Sequence, residues 1–409
     1  MSSRDRRLAP RMTAGERRAT ACLAGVAGLR MLGLFIVLPV LALYAASLPG
    51  GADPTRIGFA LGAYGLAQAV LQVPFGWASD HWGRKPAIAA GLLVFAAGSF
   101  AAAWAPDVTW LIAGRALQGA GAVSSAALAL AADLTRDEVR TRTMAAIGIT
   151  IGSTFALSLV AGPALAGAIG VPGIFVMTGV LAATAIAVVA FGIPTPPALA
   201  PHASADAAGA RRAIVDPQLL RLDFGVFALH AILMALFVEV PFALRDAGLD
   251  PSRHWLVYLP VMLVTVAVVL PLFRVADRPG RGKTILMASI AALAVAMLVL
   301  AAADRSLAAI IAGLLVFFCA FTLLEAGLPA MVSRFAPRAS RGAAIGVFSA
   351  MQYLGMFAGA AAGGWLVKHA GAAAVYGFGA AVAAVWLVAS ATMANPPPAA
   401  ETTFSMGRT

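Results

Sequence analysis

Gly76-Trp77-Ala78-Ser79-Asp80-His81-Trp82-Gly83-Arg84-Lys85-Pro86 separates two long apolar runs, and its core returns later as Asp277-Arg278-Pro279-Gly280-Arg281. Both copies stand between the second and third apolar run of their own half of the chain. A second pair keeps nearly the same register. Ala145-Ala146-Ile147-Gly148 opens the fifth run of the first half, and Ala343-Ala344-Ile345-Gly346 opens the fifth run of the second. One four-residue match is weak, but two that keep step with the count of runs indicate an internal duplication.

A helix that crosses a bilayer needs about 20 apolar residues. Outward from the duplicated motif, runs of that length lie near 19–47, 57–79, 86–104, 108–132, 143–168 and 171–193. Six more follow near 219–244, 254–274, 284–303, 306–332, 342–367 and 371–394. Asp216-Pro217 has the form of a helix N-cap followed by a first-turn proline. The intervening stretch, with Pro196, Pro197, Pro201 and Ser204, has the composition of a linker. The spacing predicts an all-α membrane protein of twelve transmembrane helices in two pseudo-symmetric six-helix bundles. Its parts are a segment 1–18, bundles 19–193 and 218–394, a linker 194–217 and a tail 395–409.

Composition agrees. The chain is 61% hydrophobic and 11% charged, against roughly 45–50% and 25% in a soluble domain. One globular core cannot bury such an excess, so lipid must cover much of it. A net charge of +11 would suit a nucleic-acid partner if it formed one patch. Instead, 22 of the Lys and Arg residues fall on the side shared by the N-terminus and the even-numbered connections, and 5 on the other. Arg30 and Arg115, well inside runs, are the remaining two. Positive charge stays on the cytoplasmic side, so both termini are expected there, the lipid bilayer is the partner, and nucleic acid is not.

The Arg-over-Lys and Ala-heavy usage points to a GC-rich bacterium, and the inner membrane is the expected location. Arg4 to Arg18 precede an apolar stretch far longer than the core of a cleaved signal peptide. Cys22 and Cys319 lack the spacing of a metal site or redox pair. Neither a Gly-x-x-x-x-Gly-Lys-Ser/Thr phosphate loop nor a His-Glu-x-x-His motif occurs. No metal, no cofactor and no ATP-driven pump are expected.

The Gly76–Pro86 loop resembles the signature of the major facilitator superfamily, and the resemblance covers nearly the whole chain. Gly15-Glu16-Arg17-Arg18-Ala19-Thr20, Leu29-Arg30-Met31-Leu32-Gly33 and Val37-Leu38-Pro39-Val40-Leu41 are similar to its YajR-type branch of proton-driven efflux proteins. Gly114-Arg115-Ala116-Leu117-Gln118-Gly119 and Asp133-Leu134-Thr135-Arg136 match as well. Members of that branch often carry a soluble cytoplasmic domain after the last helix. The sequence here ends at Thr409, so a regulatory role of such a domain is not carried over.

The resemblance implies a conformational switch formed by Gly76, Asp80, Gly83, Arg84, Lys85, Asp133 and Arg136, with Asp277 and Arg281 as repeat counterparts. Asp80 would cap the helix beginning near Gly342 when the cavity faces outward. Physical chemistry asks for some such partner. Asp80 and Asp133 end helices, where the dipole disfavours a carboxylate, and Arg84 is the cation at hand. A cluster that only fixes orientation is the alternative. Gly162, Pro163 and Gly167 resemble the fifth-helix motif of exporters, though a small-residue packing face would look the same.

Charges inside apolar runs are the remaining signal. An intramembrane arginine costs about 2.5–3.5 kcal/mol by insertion scales and should face a partner or a cavity. Arg30 and Arg115 are candidates for proton coupling, which the resemblance also implies for Arg115; snorkelling to the surface is the alternative. His230, Glu325 and Glu239 are candidates in the second half, because a carboxylate held away from water takes up a proton more readily. Packing would explain His230 as simply, a structural hydrogen bond Glu325, and a reach to the interface Glu239. Asp223, near the start of its run, is expected in solvent. Phe35, Gln68, Gln72, Gln118, Phe155, Phe237, Gln352 and Tyr353 are candidates to line a substrate cavity, each equally explicable as packing.

These readings predict a proton-coupled antiporter, driven by the proton gradient and working as a monomer. It would export small amphipathic or lipophilic compounds by alternating access. An importer of organic acids or sugars and a non-transporting sensor are the rivals. An enzyme would need a nucleophile–base pair or metal ligands, and none is seen.

Overall fold

Among the described residues of the computed structural model, six glycines with positive φ punctuate the backbone, and they fall into three pairs. Gly50 and Gly248 follow the first helix of each half, at φ 79° and 89°. Gly83 and Gly280 separate the second and third, at 95° and 76°, and Gly170 and Gly371 the fifth and sixth, at 71° and 80°. A Cβ would be strained at each of them. The halves therefore share turns as well as motifs.

The structure describes residues 12–194, 215–276, 278, 280–337 and 340–395. Asp277, most of the linker 194–217, the first eleven residues and nearly all of the tail lie outside the described residues. Among the described residues there are helices and no strands.

The first pass is Ala14–Phe35 and Leu38–Ser47, broken just before Pro39. It begins earlier than the apolar run because Thr13 and Glu16 form a capping box. Pro54–Trp82 and Arg84–Ala103 are the second and third passes. The fourth is Val108–Ala120 with Ser124–Asp133, and Asp137–Ala187 runs on through a π turn, Val188–Gly192. The seventh to twelfth are Pro217–Asp246, Trp255–Ala276, Gly282–Ala301, Leu307–Phe335, Arg341–Ala370 and Ala372–Ala391. Asp216 caps the seventh by accepting from the backbone N–H groups of Gln218 and Leu219.

Among the described residues, ten helical stretches are long and apolar enough to cross a membrane. One of them, Glu138–Gly192, has 55 residues. At a rise of 1.5 Å per residue it would extend roughly 80 Å, more than twice the hydrocarbon thickness. Gly170 is non-helical inside it, so it holds the fifth and sixth passes. The fourth pass, broken at 121–123, falls outside the ten because each piece alone is short. The described helices thus make twelve passes.

Contacts divide the chain into two units. One contains the first six passes and the segment Leu249–Leu256, the other the remaining passes. Within the first unit, the carbonyl of Ile36 sits where a Cβ on Gly162 would be, so the fifth pass packs onto the break in the first. Within the second, Gly355, Gly359 and Gly363 press the eleventh pass onto the backbone of Phe227, Ala231 and Ala235 in the seventh. That small-xxx-small stripe allows close backbone approach in lipid. Large apolar side chains such as Val73, Phe191 and Val388 are exposed, a surface that suits acyl chains and not water.

One cap is duplicated too. Lys85 Nζ donates to the carbonyls of Ala190 and Ile193, at 2.9 and 2.8 Å. Lys283 Nζ donates to those of Ala391 and Met393, at 2.8 and 2.6 Å. In each unit a lysine opening the third helix satisfies the orphan carbonyls that end the sixth.

Candidate functional site

In the first unit the two intramembrane arginines share one tyrosine. Arg30, only 4% exposed, donates from Nη2 to the hydroxyl of Tyr64 at 3.1 Å and to Oε1 of Gln68 at 2.5 Å. Its Nη1 meets Oγ of Ser124, and Gln68 passes a bond on to Gln72 at 3.3 Å. Arg115, 2% exposed, lies over the Tyr64 ring with its guanidinium carbon 5.2 Å from the centroid. It donates to Oε1 of Gln118 at 2.7 Å, and Gln118 donates to Oγ of Ser99 at 2.7 Å. The first, second, third and fourth passes thereby meet around Tyr64.

In the second unit three polar side chains converge. His230 is 1% exposed, and its Nδ1 lies 3.0 Å from the carbonyl of Val226. A carbonyl can only accept, so Nδ1 carries the proton and Nε2 presents a lone pair. Nε2 accepts from the Gln352 amide at 2.8 Å. Oε2 of Glu325 is 3.5 Å from the same nitrogen. The Gln352 amide is also 3.5 Å from Oε1 of Glu325, whose side chain is 40% exposed, so it bridges the imidazole and the carboxylate.

At the signature-loop end of the first unit, Arg84 bonds Asp80 and also Asp133, the latter at 3.1 Å, and donates to Oγ of Ser79 at 2.7 Å. Arg136 forks onto Glu16 at 2.8 and 3.1 Å. Both helix-ending aspartates thus have the cation their position requires. Asp80 keeps 60% of its side chain exposed. Gly76 faces Ser125, with ordinary contact for a Cβ. In the second unit Arg281 and Gly342 are exposed.

The profile of the Major Facilitator Superfamily matches residues 23–324 and 222–408. The inner membrane transport protein YajR of Escherichia coli (strain K12) is 42% identical over 389 residues, covering 95% of this chain and 86% of YajR. This chain belongs to the major facilitator superfamily. The class G tetracycline resistance protein of Vibrio anguillarum is 30% identical over 235 residues, 57% of each protein. Among solved structures, a D-xylose–proton symporter aligns with a TM-score of 0.72 over 93% of this chain and 98% of its own, at 16% identity, a likeness of fold alone. Membership makes the protein a membrane-spanning secondary transporter and not an enzyme.

Several expectations change against this superfamily frame. Asp223 is buried, not in solvent, because the seventh pass is enclosed on nearly all sides. Glu239 is buried for the same reason and does not reach a surface. Phe237 is wholly buried between Tyr258 and Phe318, a core position. Gln68 and Gln118 serve the arginines instead of facing a cavity. Tyr353 is buried, whereas Gln352 is half-buried beside Glu325. Phe35 and Phe155 meet edge to face at 4.8 Å. Gly167 lies against Ser252 of the Leu249–Leu256 segment, and Pro163 stands inside the fifth pass.

Tyr64, Ser99 and Lys283 were not singled out in the sequence, Glu16 was read only within a motif, and Ser124 only as one of several polar groups that could line the route. Only Lys283 had a usable signal: it stands one residue out of register with Lys85 in the repeat.

Proposed function

We propose that this transporter is a proton-coupled antiporter of a bacterial inner membrane, exporting small amphipathic or lipophilic compounds by alternating access. It acts as a monomer, without a cofactor, with both termini in the cytoplasm. The observation that carries this reading is the His230–Gln352–Glu325 constellation, a carboxylate 3.5 Å from a buried imidazole nitrogen with an amide between them. The tetracycline-resistance relative supports export. Protonating the pair removes a negative charge from the unit's interior, and substrate binding favours the opposite state. Each ligand biases the equilibrium only by its differential affinity for the two conformations.

Arg30 and Arg115, permanently charged, act on this step as fixed charges and not as carriers. Glu239 is a secondary candidate for the same proton route. We assign the switch to Asp80, Arg84, Asp133 and Arg136, with Gly342 as the helix start that Asp80 would cap in the outward-facing state. Gly162 and Pro163 supply the bend that lets the fifth pass follow the break in the first.

Glu325→Gln keeps the amide–carboxyl shape but cannot release a proton. In proteoliposomes with an imposed pH gradient, this variant should lose gradient-driven substrate flux while substrate binding and downhill exchange remain. Flux that still follows the gradient would remove Glu325 from the mechanism. Accumulation of substrate in the same direction as proton flow would establish uptake instead of export.

A further inference from the structure

The segment Leu249–Leu256, which follows the seventh pass, belongs by its contacts to the first unit and carries its own internal bonds. Oδ1 of Asp250 accepts from the backbone N–H of Ser252 at 2.9 Å and from its hydroxyl at 2.5 Å. The backbone N–H of Arg253 reaches back to the carbonyl of Asp250 at 2.8 Å. His254 is wholly buried, and its Nε2 lies 3.3 Å from the carbonyl of Leu249. This turn sits against the fifth pass where that helix has no side chain: a Cβ on Gly167 would come within 2.9 Å of the Cβ of Ser252.

Beside this contact lies a groove of about 490 Å³, within the roughly 300–1,000 Å³ of small-molecule sites. Ala164, Gly167 and Ala168 line it from the fifth pass, and Arg253, Trp255 and Leu256 from the segment. The three fifth-pass residues are small and exposed. Leu157 stands two turns before Ala164, on the same face of the helix, and is 58% exposed. An apolar track therefore leads out of the groove along the pass for roughly 10 Å, at 1.5 Å per residue.

One lining residue is charged. Arg253 is exposed, and its guanidinium makes no hydrogen bond or ion pair among the described residues. Asp250 senses that charge but gives its hydrogen bonds to Ser252. By contrast Arg245, at the end of the seventh pass, bonds Asp246 at 2.8 Å. A planar guanidinium matches a phosphate through two parallel N–H bonds. An indole, here the half-buried Trp255, favours the boundary between headgroups and chains. Cation, indole and apolar track match the phosphate, the interfacial backbone and the acyl chain of a phospholipid.

We infer that this groove binds one anionic phospholipid, its phosphate on Arg253 and one acyl chain laid over Ala164 and Ala168 toward Leu157. The lipid covers the seam between Leu249–Leu256 and the fifth pass, and so holds the segment in place. It binds whichever way substrate and protons move.

Native mass spectrometry of the delipidated protein in detergent tests it with four probes: phosphatidylglycerol, phosphatidylcholine, glycerophosphoglycerol and oleate. Phosphatidylglycerol should bind at one site about fivefold or more tighter than phosphatidylcholine. Glycerophosphoglycerol, which has the anion but no chains, should not bind detectably, and oleate should bind no better than phosphatidylcholine. Arg253→Gln should remove the preference for phosphatidylglycerol and leave phosphatidylcholine binding unchanged. Ala164→Leu fills the groove at an exposed position and should weaken both lipids; Ala168→Leu serves where Ala164→Leu does not fold.

Equal affinity for the two phospholipids overturns the assignment, as does an Arg253→Gln protein that still prefers phosphatidylglycerol or a filled groove that binds as the parent does. Glycerophosphoglycerol binding as tightly as the whole lipid would make Arg253 a plain ion site, and oleate binding more tightly than phosphatidylglycerol would make the groove a fatty-acid site. Either result also overturns it.

Discussion

His230 separates a structural from a proton-handling role more sharply than Glu325, because it is enclosed and holds bonds on both ring nitrogens. His230→Ala strands the Gln352 amide and leaves a cavity. It should cost about 1–3 kcal/mol, read as a lower unfolding temperature, and abolish pH-driven flux. His230→Gln can still accept from Gln352, so it should recover most of the unfolding temperature and none of the pH response. Recovery of both would make His230 a packing residue. The four charged or titratable centres, Arg30, Arg115, His230 and Glu325, were legible in the sequence, since an ionisable group in an apolar run is an anomaly. Their neutral partners were legible only in part: Gln68, Gln118 and Gln352 stood out as polar groups in apolar runs, but not as partners of a charge. Tyr64 and Ser99 are unremarkable in Ala- and Gly-rich helices, and only folding brings them to the arginine network.

Helices in this protein are held by what their glycines omit. Gly359 and Gly346 occupy the same pass, yet they differ completely in surroundings. A Cβ on Gly359 would run into the backbone of Ala231, whereas one on Gly346 meets nothing within 4 Å. Gly359→Ala should therefore cost about 1–3 kcal/mol through overpacking. Gly346→Ala should be neutral or stabilising by up to about 1 kcal/mol from helix propensity. Thermal unfolding of the two variants followed by size-exclusion chromatography reads the difference, and equal behaviour would mean the seventh and eleventh passes are not tightly apposed. Composition could suggest small-residue packing but not assign it. The sequence places Gly342, Gly346, Gly355 and Gly359 on one helix, and nothing in their spacing says which of them faces a neighbour.

At the scale of the molecule, the duplication and the charge alternation were readable because both are statistical properties of whole runs, indifferent to local geometry. Local breaks were read unevenly. The turn at Gly170 falls in the gap read between the runs 143–168 and 171–193, although no charged residue marks it, whereas the fourth pass breaks unannounced at Gly121-Ala122-Val123 within an apolar stretch. The count of twelve depends on treating Glu138–Gly192 as two passes and Val108–Asp133 as one. An error in either alone changes the parity and sends the two chain ends to opposite faces. Parity can be read without a structure. A reporter that fluoresces only in the cytoplasm should light when fused after Thr409. A phosphatase active only outside the cytoplasm should be active when inserted at Gly51 or at Asp304, each in a connection of the Arg-poor side, and silent when inserted at Arg281. A dark C-terminal reporter would show an odd number of crossings, and an active phosphatase at Arg281 would show that the 22-to-5 partition of Lys and Arg does not set the orientation.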